Sequence, residues 1–200
     1  TMKGQAIFVS RAAPEFVAEL FRREGPEVAS GAVEIKAIAR EGGARTKIAV
    51  DSTQEGVDPV GSCVGQKGVR VQAVIGEVNN EKIDIIQYSD KPEKFLEAAL
   101  APADNLKITI NEKKKTAKVI VPDDQLSLAI GRGGQNVRLA AKLTGYTIDI
   151  EGESGKKAES KAEVKKEDSK AEKAEEKKHV KKAGKVKKEK KAKKPKKTNE

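Results

Sequence analysis

The sequence predicts an α+β protein in which one small domain occurs twice in tandem, followed by a charged tail. Three observations predict this. The same order of helices and strands can be read twice along the chain. Gly-x-x-Gly occurs at Gly65 and again at Gly131, a period of 66 residues. Residues 1–150 hold 21 Lys/Arg against 20 Asp/Glu, whereas 151–200 hold 20 Lys against 11 acidic residues. The last segment has no Phe, Tyr, Trp, Leu or Ile. It cannot bury enough apolar surface to offset the entropy of ordering it. The expected boundaries are 1–88 for the first domain, 89–151 for the second, and 152–200 for a disordered lysine-rich tail.

The first repeat opens on Pro14, a favourable first helical residue, and Phe16, Val17, Leu20 and Phe21 share one face of the helix up to Glu24. Gly25-Pro26 ends it. Val33–Ile38, with period-two apolar spacing, and Thr46–Val50 predict a hairpin about the turn Glu41-Gly42-Gly43-Ala44. A loop with Pro59 leads through Val60–Val64 to the first Gly-x-x-Gly. Val69–Ile75 then reads as a helix closed by Gly76, and Lys82–Gln87 as a strand.

The second repeat follows the same plan. Pro92–Leu100 is a helix stopped by Pro102; Leu106–Ile110 and Ala117–Val121 form a hairpin about Asn111–Lys115. Asp123-Asp124 can cap a helix running to Ile130, since carboxylates are favourable at its positive end. The loop Gly131–Gly134 precedes a helix from Gln135 to Leu143, closed by Gly145. Thr147–Ile150 is the last strand. The first repeat carries about five more residues, around Pro59, between its second strand and its loop; this is a duplication rather than a solenoid.

Two glycines bracketing two residues let the backbone turn tightly and approach a ligand with no Cβ in the way. A helix starting at the loop aims unpaired N–H groups and its positive dipole end there, and a phosphodiester suits both. In RNA recognition such a loop clamps sugar-phosphate backbone, as in the KH module. A lone Gly-x-x-Gly is often only a turn between helices. Two copies in one element order, each with a basic residue, Lys67 or Arg132, favour the RNA clamp. Bases would lie along apolar residues such as Val64 and Ile130.

Other chemistry is not encoded. His179 is the only histidine and Cys63 the only cysteine, so no zinc cluster and no Cys–His or Ser–His pair is expected. No phosphate-loop motif of nucleotide hydrolases occurs. Asp123 and Asp124 suit helix capping better than metal binding, and Cys63 reads as a small buried hydrophobe. Phe16, Phe21 and Phe95 read as core rather than as a stacking platform. The expectation is a protein that is not an enzyme, without catalytic residues, cofactor or metal. A single cysteine suits a reducing compartment, and neither a signal peptide nor the ~18–20 apolar residues of a membrane span is present. A cytoplasmic location is expected.

Four stretches carry a family resemblance: Phe8-Val-Ser-Arg11 with Pro14-Glu-Phe16, then Val33-Glu-Ile-Lys36 with Ala39-Arg40-Glu41, and above all the two loop regions, Asp58–Arg70 and Asp124–Ala140. The chain resembles, over residues 3–150, the tandem KH region of the NusA family of bacterial transcription elongation, termination and antitermination factors. The resemblance implies two type II KH domains packed side by side, with their loops reading one strand of nascent single-stranded RNA. By residue it implies contacts from Gly65, Gln66, Lys67 and Gly68 and from Gly131, Arg132, Gly133 and Gly134. Arg70, Gln135, Asn136 and Arg138, just after the loops, are further expected contacts. RNA polymerase and antitermination factors are the implied protein partners, and a monomer is expected. In that family polymerase-binding and OB-fold domains precede the KH pair, and neither is expected in this sequence. An alternative from the motifs alone is a ribosome-assembly or rRNA-binding KH protein.

Overall fold

The computed structural model describes residues 9–155. Of the tail expected at 152–200, residues 156–200 lie outside the described residues, as do residues 1–8; Gly152 is instead the last residue of the final strand, where it pairs with Val121. The first repeat folds as α1 (Pro14–Glu24), α2 (Pro26–Ala29), β1 (Val33–Glu41), β2 (Arg45–Ser52), α3 (Pro59–Val64), a 3-10 turn (Gln66–Gly68), α4 (Val69–Glu77) and β3 (Lys82–Gln87). The second folds as α5 (Pro92–Leu100), β4 (Lys107–Asn111), β5 (Thr116–Val121), α6 (Leu126–Ile130), a 3-10 turn (Arg132–Gly134), α7 (Gln135–Thr144) and β6 (Thr147–Gly152). Each repeat forms a three-stranded sheet. Its middle strand pairs antiparallel with the first strand and parallel with the last.

The helical faces pack as their spacing dictates. Val17, Leu20 and Phe21 of α1 meet Val33, Ile48, Val50, Cys63 and Val74 in the first core. Phe95, Leu96 and Leu100 of α5 meet Val119, Val121, Leu139, Ile148 and Ile150 in the second.

Several expectations are corrected. Gly76 lies inside α4 rather than closing it. The closure falls at Asn79 and Asn80, both at positive φ (58° and 59°), where the N–H of Asn80 reaches back to the Ile75 carbonyl. Asparagine tolerates this left-handed turn better than most side chains. Asp123 and Asp124 do not cap α6: Gln125 occupies the N-cap position with no side-chain bond, while Asp123 accepts from the N–H of Ser154. In the first repeat the corresponding helix α3 does have a carboxylate cap, from Asp58 to the Val60 N–H at 3.0 Å. Pro26 does not only end α1; it starts the short helix α2.

A further correction concerns β1. Unbroken period-two spacing would place Val33, Ile35, Ala37 and Ala39 on one face. The pairing instead shifts between Ile35 and Ala37: Ile35 opposes Val50 and Ala37 opposes Ala49. The extra residue, Lys36, makes a β-bulge and inverts the alternation beyond it. Ile35 and Ile38 therefore pack on the first core, whereas Ala37 and Ala39 turn to the opposite face with Ala49 and Ile86. That face is covered by the second domain, with α7 packed on β1 and β2. The small alanines allow the close approach of helix to sheet.

Lys47 lies on the same face of β2 as Ala49 and is fully buried. Its ammonium donates to the carbonyls of Ala99 (2.8 Å) and Ala101 (2.9 Å), at the C-terminal end of α5, and lies 3.6 Å from Asp84. A cation at the negative end of a helix is electrostatically favourable, so a first-domain side chain caps a second-domain helix. Burial nevertheless pushes the Lys47 ammonium down to about 8, against the attraction of Asp84.

Candidate nucleic-acid interface

The two loops share one backbone course. Gly65 has φ 75° and ψ 169°; Gly131 has φ 72° and ψ 170°. This region is open essentially to glycine alone. Lys67 and Gly133 follow at φ 53° and 58°, then Gly68 and Gly134 at 77° and 74°. In each loop the N–H of the second glycine donates to the carbonyl of the first, at 3.0 and 3.1 Å. Gly68 and Gly134 serve as N-caps of α4 and α7 with no side-chain cap bond. The N–H groups of Val69 and Gln135 close 3-10 turns onto the Gln66 and Arg132 carbonyls, so each loop presents chiefly its exposed tip and the positive helix end, which favours an anion.

The expected contact residues divide into four kinds, the first being loop glycines, of which Gly65, Gly68 and Gly131 are half-buried and Gly134 is buried. Gln66, Lys67, Arg132 and Gly133 are exposed at the loop tips. Arg70 and Asn136 occupy equivalent places, 66 residues apart in the sequence, and both are turned inward. Arg70 pairs with Glu27 at 2.7 Å and donates to the Ser62 carbonyl at 2.5 Å. Asn136, only 2% exposed, donates to the carbonyls of Leu100, Leu128 and Ala129 at 3.0, 3.3 and 3.1 Å. Both brace the helix that precedes their loop, because their donors satisfy its last carbonyls. Burial keeps Asn136 from any strand on the surface. Gln135 and Arg138, on one face of α7, both bond to Glu41 of the first domain, at 2.8 and 3.1 Å.

Close packing adds to the demand for glycine at the first loop position. A Cβ built on Gly65 would meet the Arg70 side chain at 2.7 Å, and one on Gly131 would meet the Asn136 Cβ at the same distance.

Sequence reasoning missed other residues. Val69 and Leu128 are apolar yet 68% and 46% exposed, beside the first and second loops respectively. Their placement off the buried helix face was the available signal. Glu41, which the sequence marks as a turn residue and as part of the Ala39-Arg40-Glu41 stretch, bears on the second loop. Burial alone would raise its carboxyl, but hydrogen bonds from Gln135 and Arg138, with the charges of Arg138 and Lys142, outweigh that and hold it below the usual carboxylate value.

Below the first sheet Arg40 and Glu81 form a buried bidentate pair, both bonds 2.9 Å. Thr46 and the Gly43 N–H also donate to Glu81. Cys63 is 1% exposed in the first core, and burial pushes its thiol up to about 11. A thiol so held is a poor nucleophile at neutral pH. Among the described residues no group of three His, Cys, Asp or Glu could hold a metal ion, and no helix is long and apolar enough to cross a membrane.

Two α+β units of this topology, each interrupted by a Gly-x-x-Gly loop ahead of a helix, define a tandem type II KH protein. Residues 11–88 match the model of the NusA-like first KH domain, and 92–158 that of the NusA-like second KH domain. The chain belongs to the NusA family through this tandem KH region. It is similar to proteins named transcription termination/antitermination protein NusA. These include that of Bacillus subtilis (54% identity over 154 residues; 77% of this chain, 42% of that protein) and that of Halalkalibacterium halodurans (53% over 154 residues; 77% and 40%). The Thermus thermophilus protein is 53% identical over 149 residues, 74% of this chain and 38% of that protein. The chain thus spans about two-fifths of the length of the relatives it matches.

Proposed function

We propose that this chain is the RNA-binding part of a transcription termination/antitermination factor, and that its two loops clamp the backbone of one single-stranded RNA. The observation that carries this reading is the repetition of one loop conformation ahead of two helix N-termini lacking side-chain caps, each with an exposed cation, Lys67 or Arg132. The names of the relatives supply the transcriptional context. Gly65, Gln66, Lys67 and Gly68 would contact one stretch of backbone and Gly131, Arg132, Gly133 and Gly134 another. Val69 and Leu128 would offer apolar surface to the bases between them. The action is scaffolding: an RNA held at two points has fewer ways to pair with itself, which alters hairpin formation and the assembly of other factors. RNA polymerase and antitermination factors are the proposed protein partners, and the cytoplasm the proposed place of action.

The test is binding of the chain to single-stranded and duplex RNA, before and after Gln66→Asp with Lys67→Asp and Arg132→Asp with Gly133→Asp. Preference for single strands, lost on substitution of both loops, is expected. Undiminished binding by the fourfold variant would overturn the assignment of the loops.

A further inference from the structure

We propose that Glu41 of the first domain is a positioning residue for the RNA loop of the second, acting through Arg138. The inference rests on the reading of the loops as the RNA site, and it concerns how one of them is held.

Both carboxylate oxygens of Glu41 are engaged across the domain boundary. Oε2 accepts from Gln135 Nε2 at 2.8 Å and Oε1 from Arg138 Nε at 3.1 Å. Arg138 then reaches back with Nη1 to the carbonyl oxygen of Gly133, at 2.6 Å. That carbonyl and the N–H of Gly134 belong to a single planar peptide unit. The Gly134 N–H is bonded to the Gly131 carbonyl at 3.1 Å. One peptide of the loop is therefore pinned at both ends, once within the loop and once through Arg138 to the other domain.

The second loop has more need of such a tether than the first. Its third residue is Gly133, where the first loop has Lys67, and glycine leaves the unbound backbone more states to populate. The residues equivalent to Gln135 and Arg138 in the first repeat are Val69 and Gln72. Valine has no side-chain donor and Gln72 makes no side-chain hydrogen bond, so among the described residues the arrangement is found at the second loop alone. With Nε held by a carboxylate and Nη1 by a carbonyl, Arg138 serves as a brace between the domains and the loop.

The experiment is a double-mutant cycle on the full chain, at salt high enough to screen the lysine-rich tail. Affinity for a short single-stranded RNA and thermal midpoints are measured for wild type, Glu41→Ala, the second-loop variant (Arg132→Asp with Gly133→Asp), and the combination. Glu41→Ala is expected to weaken binding by about three- to tenfold, and to have little further effect once the second loop is disabled. Arg138→Lys, which retains a cation for Glu41 but cannot span to Gly133 as well, should reproduce the loss. It also serves if Glu41→Ala fails to fold. Glu41→Gln, which retains hydrogen-bonding atoms, should recover most of the affinity. Unchanged or tighter binding by Glu41→Ala or Arg138→Lys, or an equal loss in both loop backgrounds, would overturn the proposal. Wild-type affinity in the second-loop variant would instead sink the RNA-site reading itself.

Discussion

Arg70 and Asn136 stand at the same place in the two repeats, and each donates to a carbonyl of the helix ahead of its loop: Ser62 for Arg70, Leu128 for Asn136. Ser62 and Leu128 are themselves equivalent, 66 residues apart. Two unlike side chains thus perform one task. The longer one also reaches Glu27 at the surface, while the shorter is sealed inside. Each lies against the first glycine of its loop, so loop and brace constrain one another.

Gly131→Ala is expected to be far more damaging than Gly68→Ala. The first puts a Cβ 2.7 Å from that of Asn136, in a backbone region open only to glycine. The loss should be about 3 kcal/mol or more. At Gly68 nothing lies nearer than 3.8 Å, and only the positive φ is disfavoured, at about 1 kcal/mol. Chemical denaturation of the two variants checks the order.

Glu81→Gln should destabilise the protein by about 3 to 5 kcal/mol, because it leaves the Arg40 guanidinium buried without its counter-charge. It should also flatten the acid limb of the stability curve. Burial alone would raise the Glu81 carboxyl, but bonds from Arg40, Thr46 and the Gly43 N–H outweigh it and hold it below 4.5. The folded state therefore binds this proton less readily than the unfolded one. The stabilisation is present above pH 4.5 and disappears as pH falls through the lower folded value. Denaturation midpoints of wild type and variant should draw together as pH falls below 4.5.

Lys47 predicts the opposite limb. Its ammonium titrates near 8 when folded and near 10.5 when free, so unfolding takes up a proton between those values. Raising pH through that window should stabilise wild type relative to Lys47→Met, by about 3 kcal/mol at most. A constant difference between the two proteins from pH 8 to 10.5 would show that the donated bonds to Ala99 and Ala101 hold the ammonium charged.

Removal of residues 156–200 leaves β6 intact and takes the formal net charge from +10 to −1, since those residues hold 20 Lys and 9 acidic side chains. The logarithm of RNA affinity should then fall less steeply with the logarithm of salt, by about 0.7 for every phosphate that the tail had neutralised. Titrations at several salt concentrations read this directly. An unaltered slope would mean that the tail does not touch RNA.

The element order, both hairpins and both loops could be read from residues in order, since each depends on neighbours within about a dozen positions. Apolar periodicity, proline at helix starts and glycine at turns are local signals, and the 66-residue repeat reinforced each reading with its copy. The relation between the domains was not local. Ala37, Ala39 and Ala49 look like weak strand residues until the bulge at Lys36 turns the first two toward α7. Nothing in the strand Thr46–Val50 marks Lys47, whose ammonium caps a helix some fifty residues away, and Glu41 bonds across more than ninety. Which face of a sheet is covered, and by what, depends on a partner surface that no window of sequence contains. The loops as motifs belong to the sequence; the burial of Asn136 and the bonds of Gln135 and Arg138 to Glu41 were decided by tertiary packing.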